Sequence, residues 1–118
     1  MRYDPDRELD AKAWLELDES ERAILVEDYH RRAGIKPPNL KVHAALHAVV
    51  ENQIALGGDY PAAETLERLM GEGLGRHDAV HAIGSVLIVH LFEIMQGRGG
   101  GGANEAYVRE LAKLTAKK

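Results

Sequence analysis

Two pairs of histidines stand four residues apart in this chain: His43 with His47, and His77 with His81. On a helix that spacing sets both side chains one turn apart on nearly the same face, so each pair can chelate one metal ion. Shuffling six histidines through 118 residues would give about a quarter of one such pair, so two pairs are an enrichment. Cysteine is absent, which removes disulfides, thiolate nucleophiles and thiolate metal sites. A metal here must be held by imidazole and carboxylate. Four imidazoles at one centre suit Zn²⁺, Ni²⁺, Cu²⁺ or Fe²⁺, whereas Mg²⁺ and Ca²⁺ prefer oxygen. The expected cofactor is therefore a divalent transition metal (Zn, Ni or Fe first).

Carboxylates extend the candidate set. Glu51 lies one turn beyond His47. Successive positions in His43, His47 and Glu51 climb about 6 Å, so the outer two are about 12 Å apart and cannot share one ion. Glu51 is either an acceptor that holds the His47 ring or a ligand of a second ion. Glu27-Asp28-Tyr29-His30 is a Glu-x-x-His, the spacing of di-metal bundle proteins. A full di-iron pattern needs two such motifs and two more glutamates, and this chain shows one motif. The candidate metal residues are thus His43, His47, His77, His81, Glu51, Glu27 and His30. His90 falls on the opposite side from His81 and reads as packing.

Helical elements must position these groups. Strand signals are nearly missing, and helix punctuation is frequent. A leader to about Leu17 carries Trp14, Leu15 and Leu17 on a short helix. Asp18 or Ser20 caps a helix to about Ala33, which Gly34 stops. Ile35-Lys36-Pro37-Pro38 is a stiff connector. Asn39 caps a helix from Leu40 to Leu56, ended by Gly57-Gly58, and Pro61 opens a third that runs to about Glu72. The fourth spans about Arg76 to Gln96. Gly-rich residues 98–103 form a flexible linker by composition, and a last helix follows, capped by Asn104.

At about 100° per residue, His43, His47 and Glu51 share an arc with Leu40, Leu46, Val50 and Ile54. His77 and His81 share theirs with Gly84 and Ile88, and His30 lies with Val26 on a buried arc. Both pairs should therefore face inward, where an unsatisfied imidazole is costly. The segments His43–Val50 and His77–Gly84 also echo each other, each opening the second helix of a helix–turn–helix. The fold class is all-α: a four-helix bundle of two αα-hairpins, with a leader helix and a Gly-linked C-terminal helix. Residues 1–97 read as one helical domain, and 104–118 as an appended amphipathic helix.

At these motifs the sequence resembles a family of small bacterial helical proteins catalogued as a domain of unknown function. The residues that carry the resemblance are His43-x-x-Leu46-His47-Ala48-x-x-Glu51-x-Gln53 followed by His77-x-Ala79-x-His81. It covers mainly residues 40 to 95. It implies a bacterial origin, a helical fold and a shared histidine pattern, with no established activity.

Composition bounds the remaining choices. The chain is 118 residues with 29% charged and 45% hydrophobic residues and a formal net charge of −4, an ordinary globular balance that does not favour nucleic-acid backbones. Met1–Asp6 lacks the pattern of a secretory signal. The most apolar stretch, Ala79 to Met95, is interrupted by His81, Ser85, His90 and Glu93, so no membrane span and a cytoplasmic location are expected. His-Glu-x-x-His is absent, and no acid or oxyanion donor is placed near Ser85 to make it a nucleophile. Whether a bound metal does catalysis depends on an open coordination position. The alternative reading is a non-catalytic homo-oligomeric interaction module whose histidines are structural, dimerising through helix 76–96 or the C-terminal helix.

Overall fold

The computed structural model describes residues 2–97 and 103–116. Of the expected linker at 98–103, residues 98–102 lie outside the described residues, as does the capping side chain of Asn104, and Ala103 already belongs to the last helix. The chain folds into six α-helices with no strand among the described residues: α1 (Ala11–Glu16), α2 (Glu19–Ala33), α3 (Leu40–Leu56), α4 (Pro61–Gly71), α5 (Arg76–Met95) and α6 (Ala103–Lys113). The all-α expectation holds, with each boundary within a residue or two of its punctuation.

Local chemistry explains those boundaries. Asp18 accepts from the Glu21 backbone N–H at 2.9 Å while the Glu21 carboxylate accepts from the Asp18 N–H, a capping box at the start of α2. Gly34 ends that helix in the left-handed region (φ 71°), where a Cβ would be strained. Asn39 caps α3 through the Val42 N–H, and Pro61 occupies the first turn of α4.

The central element is α3, which packs against α1, α2, α4 and α5. It serves two apolar clusters. Ala44 and Ala48 join Tyr3, Trp14 and Val26 on the N-terminal side. Val50 joins Ala62, Leu66, Leu69, Val80, Ile83 and Leu87 on the other. Polar residues stitch the elements together at the margins. Trp14 Nε1 donates to Asn52 Oδ1 at 2.8 Å, and Arg22 donates to the same oxygen. Helix α6 is held to the body: Tyr107 and Leu111 are buried in the second cluster, and Arg68 donates to the Leu111 and Leu114 carbonyls. His90 stacks on Tyr107 with ring centroids 4.9 Å apart, the packing role expected for it.

Helix α5 departs from one expectation. By length and composition it is apolar enough to cross a membrane, with a mean hydropathy of 1.5. His81, Ser85, His90 and Glu93 are too few among its aliphatics to bring that mean below what a membrane-spanning helix needs. Here its first half is packed through Ala79, Val80, Ile83 and Leu87, while Val89, Phe92 and Met95 near its end are exposed.

Leu69 is fully buried and Met95 is 82% exposed. Leu69→Ala should cost about 3 kcal/mol through lost burial and a residual cavity, and Met95→Ala less than about 0.5 kcal/mol, both read from urea denaturation midpoints.

Candidate metal centre

Three helices deliver five histidines to one place. His30 comes from the last turn of α2, His43 and His47 from α3, and His77 and His81 from the first turns of α5. The rings of His77 and His81 are 4.5 Å apart between centroids, His30 and His43 4.7 Å, and His47 and His81 5.0 Å. One nitrogen from each of His30, His47, His77 and His81 lies within 4.8 Å of all the others. His43 sits beside this set, 5.0 Å from His81 and 5.6 Å from His47 by ring centroid.

The polar arithmetic of the cluster does not close within the protein. The Nε2 atoms of His30, His43, His47, His77 and His81 are all buried without a hydrogen-bond partner. A buried polar atom left unpaired costs about 1–3 kcal/mol, and folded proteins hold few of them. Five in one cluster share a common need. Two nitrogens bound at about 2.1 Å to one ion lie at most about 4.2 Å apart. The four-histidine set would therefore draw in by somewhat under an ångström, or a little more for tetrahedral geometry, on taking up an ion.

Two of the rings are fixed in the form a metal needs. His30 Nδ1–H donates to the Val26 carbonyl at 2.8 Å, which leaves the lone pair on Nε2. The second case runs through Tyr3, which is buried with its hydroxyl between Glu51 and His47. Tyr3 donates its proton to Glu51 Oε2. Its oxygen can then only accept from His47, whose Nδ1 lies 2.9 Å away, so the His47 lone pair also stands on Nε2. Burial, then the Glu51 charge, push the Tyr3 pKa well up, so its proton stays in place.

Glu51 is fully buried and is held by Arg76 through two hydrogen bonds, at 2.7 and 2.8 Å. Burial opposes the Arg76 charge, and the bonds and charge of Glu51 outweigh it, so its pKa rises. Arg76 also donates to the Pro5 carbonyl at 3.0 Å, and Arg32 to the Tyr3 carbonyl at 3.2 Å. These contacts lay the N-terminal segment, Tyr3 to Asp6, across the cluster.

The structure brings together His30, His47, His77 and His81, with His43 adjoining them. It does not bring Glu27 to the cluster; that carboxylate accepts from Arg31 at 3.1 Å. Glu51 reaches His47 only through Tyr3. Two functional groups were missed in the sequence. Tyr3 lies 44 residues from His47, and no spacing rule links them. Arg76 reads as a helix-start cation, and only its place immediately before His77 hinted at the site.

No protein-family model, curated protein or solved structure matches the chain, so the reading of this centre stands on its own geometry.

The cluster is electrostatically averse to protons. Burial, then the neighbouring histidines, lower the His47 pKa to about 2 and that of His81 to about 4. His43 is lowered by burial and by His30 and His77. His77 is lowered by burial, with Asp6 opposing. Histidines depressed in the folded state take up protons first in the unfolded chain. Stability is therefore full above the ordinary imidazole value of 6.5 and is lost as pH falls below it toward the folded values. Metal-free protein should melt about 5–10 °C lower at about pH 5 than at about pH 7.5; an unchanged Tm would show that the rings are not held neutral.

The Glu51–Arg76 pair yields a second test. Glu51→Leu or Arg76→Leu alone leaves a buried charge unpaired and should cost about 3–5 kcal/mol, while the double variant should cost markedly less than their sum. Additive losses in a denaturation cycle would refute the pairing as described.

Proposed function

We propose that this protein binds one divalent transition-metal ion through His30, His47, His77 and His81, within a four-helix bundle built from the hairpins α2–α3 and α4–α5. The observation that carries this reading is the convergence of four imidazole nitrogens from three helices, with His43 beside them and the Nε2 of all five rings buried and unpartnered. Core histidines that serve packing alone normally have both ring nitrogens satisfied; here His30 Nδ1 is met by the Val26 carbonyl and His47 Nδ1 by the Tyr3 hydroxyl, and each ring keeps a buried, unpaired Nε2. An all-imidazole set is borderline in softness and favours Zn²⁺, Ni²⁺ or Fe²⁺ over the hard ions.

The outer groups have defined roles in this reading. Tyr3 and the Val26 carbonyl orient two ligands, as hydrogen-bonded partners of metal-binding histidines generally do. Glu51 polarises Tyr3, and Arg76 makes the buried carboxylate tolerable. The lowered proton affinity of His47, His77 and His81 keeps their lone pairs free at neutral pH, so none of these three need lose a proton when the ion arrives.

Untagged protein purified without chelator should carry about one transition-metal ion per chain, and less than about 0.2 would sink the reading. Saturating metal at about one hundred times Kd should add roughly 2.7 kcal/mol of stability. His47→Ala or His81→Ala should abolish binding, and Tyr3→Phe should weaken it about 10–100-fold without removing a ligand, read by competition with a chromogenic chelator.

A further inference from the structure

We propose that the metal centre takes a small monoanion as an additional ligand, admitted through a cavity between α3 and α5. The inference rests on the four-histidine metal reading and deepens it.

Charge is the first argument. Four neutral imidazoles leave a divalent ion with its full double positive charge, and a buried charge is costly unless paired. The buried carboxylate that could compensate it, Glu51, is taken by Arg76 and Tyr3, and Glu27 is taken by Arg31. Asp4, Asp6 and Asp78 act on His77 through space, but they are exposed and water screens them. A mobile anion is the partner that the protein does not supply.

Space is the second. A cavity of about 240 Å³ reaches the cluster at His43, His47 and His81. It runs from buried His47 to the exposed residues Ser85 and Ile88, so it joins the centre to solvent. At about 30 Å³ per water it holds a few heavy atoms with room for solvent, and it falls below the roughly 300–1,000 Å³ of sites for drug-sized ligands. Nucleotides and peptides are too large.

Wall chemistry is the third. Leu46, Val50, Val80 and Ile88 are apolar, and the Ser85 hydroxyl donates back to the His81 carbonyl at 3.0 Å. Among the described residues no Lys or Arg lines the cavity, so none of them would hold a second negative charge there. That selects a monoanion with one donor atom and a small apolar or neutral body: azide, nitrite or a short carboxylate. His43 lies outside the four-nitrogen set, borders the cavity and has an unpaired Nε2. Protonated at that atom as a neutral ring, it donates a hydrogen bond to the bound anion. The step is coordination only: a lone pair of the anion enters the metal's open position, with no electron or proton transferred.

The test uses the full chain loaded with Co²⁺, whose visible absorption reports coordination number, with azide as the probe. A saturable change of the cobalt bands, with Kd of about 1 mM or tighter, is expected. Gly84 adjoins the cavity, and a Cβ there would meet only Val50 at 3.8 Å, so Gly84→Phe should fill the space. Ile88→Trp, at a position 45% exposed, should close the mouth and serves if the glycine variant does not fold. Each should weaken azide at least about tenfold with cobalt stoichiometry unchanged. Cobalt bound at one per chain without an azide response, or azide binding unaltered in both variants, would overturn the inference and leave the metal reading intact. Failure to bind cobalt, zinc or nickel would overturn the metal reading, and this inference with it.

Discussion

The buried carboxylate of Glu51 is the constraint around which the centre is organised. A fully buried charge must be met by an opposite charge and by hydrogen bonds, or the fold pays heavily for it. Arg76 meets it from the first residue of α5, Tyr3 meets it from the N-terminal segment, and Glu51 itself belongs to α3. Three separate parts of the chain are thereby fixed in register. His47 stands one turn from Glu51, and His77 and His81 follow Arg76 immediately, so the same contacts set the histidines against each other. The pair is an orienting device, and its strength lies in how badly the fold tolerates its absence.

The same contacts decide the chemistry of the centre. With Glu51 neutralised by Arg76, the histidine cluster contains no anionic ligand. Its rings are crowded and largely desolvated, which explains why protonation of His47 and His81 is so disfavoured. A proton would bring one charge to a crowded, largely desolvated place, where the carboxylates that act on His77, Asp4, Asp6 and Asp78, are exposed and screened. A divalent ion would bring two, but it compensates by forming four coordinate bonds at once.

Much of this architecture was legible because it is local. Asp18, Gly34, Asn39 and Pro61 act within one helical turn, and the i, i+4 spacing of His43–His47 and His77–His81 places each pair on one face without any tertiary knowledge. His30 was legible from the buried arc it shares with Val26. What stayed hidden is what depends on distant parts of the chain. The Glu-x-x-His spacing drew Glu27 into the candidate set, yet Arg31, one turn away, holds that carboxylate. Tyr3 looked like part of an unremarkable leader, since nothing in residues 1–6 signals a fit between α2 and α3. Glu51 was read as touching His47 directly or binding a second ion; an intervening tyrosine from the other end of the chain was beyond any spacing argument.

The apolar core and the histidine cluster are separate parts of this molecule. Both apolar clusters close without the histidines: Trp14, Val26 and Ala48 on one side, and Leu69, Val80 and Ile83 on the other. Helix α3 is common to both, and the histidine centre occupies the seam where α2, α3 and α5 meet. In zinc-dependent mini-domains the ion replaces a core that the chain is too short to build. Here the core is complete, and the unpaired nitrogens are the part of the structure left energetically unfinished. Five buried imidazole nitrogens without partners, in a molecule whose apolar clusters are otherwise closed, carry a local cost in stability of the kind that functional centres commonly show.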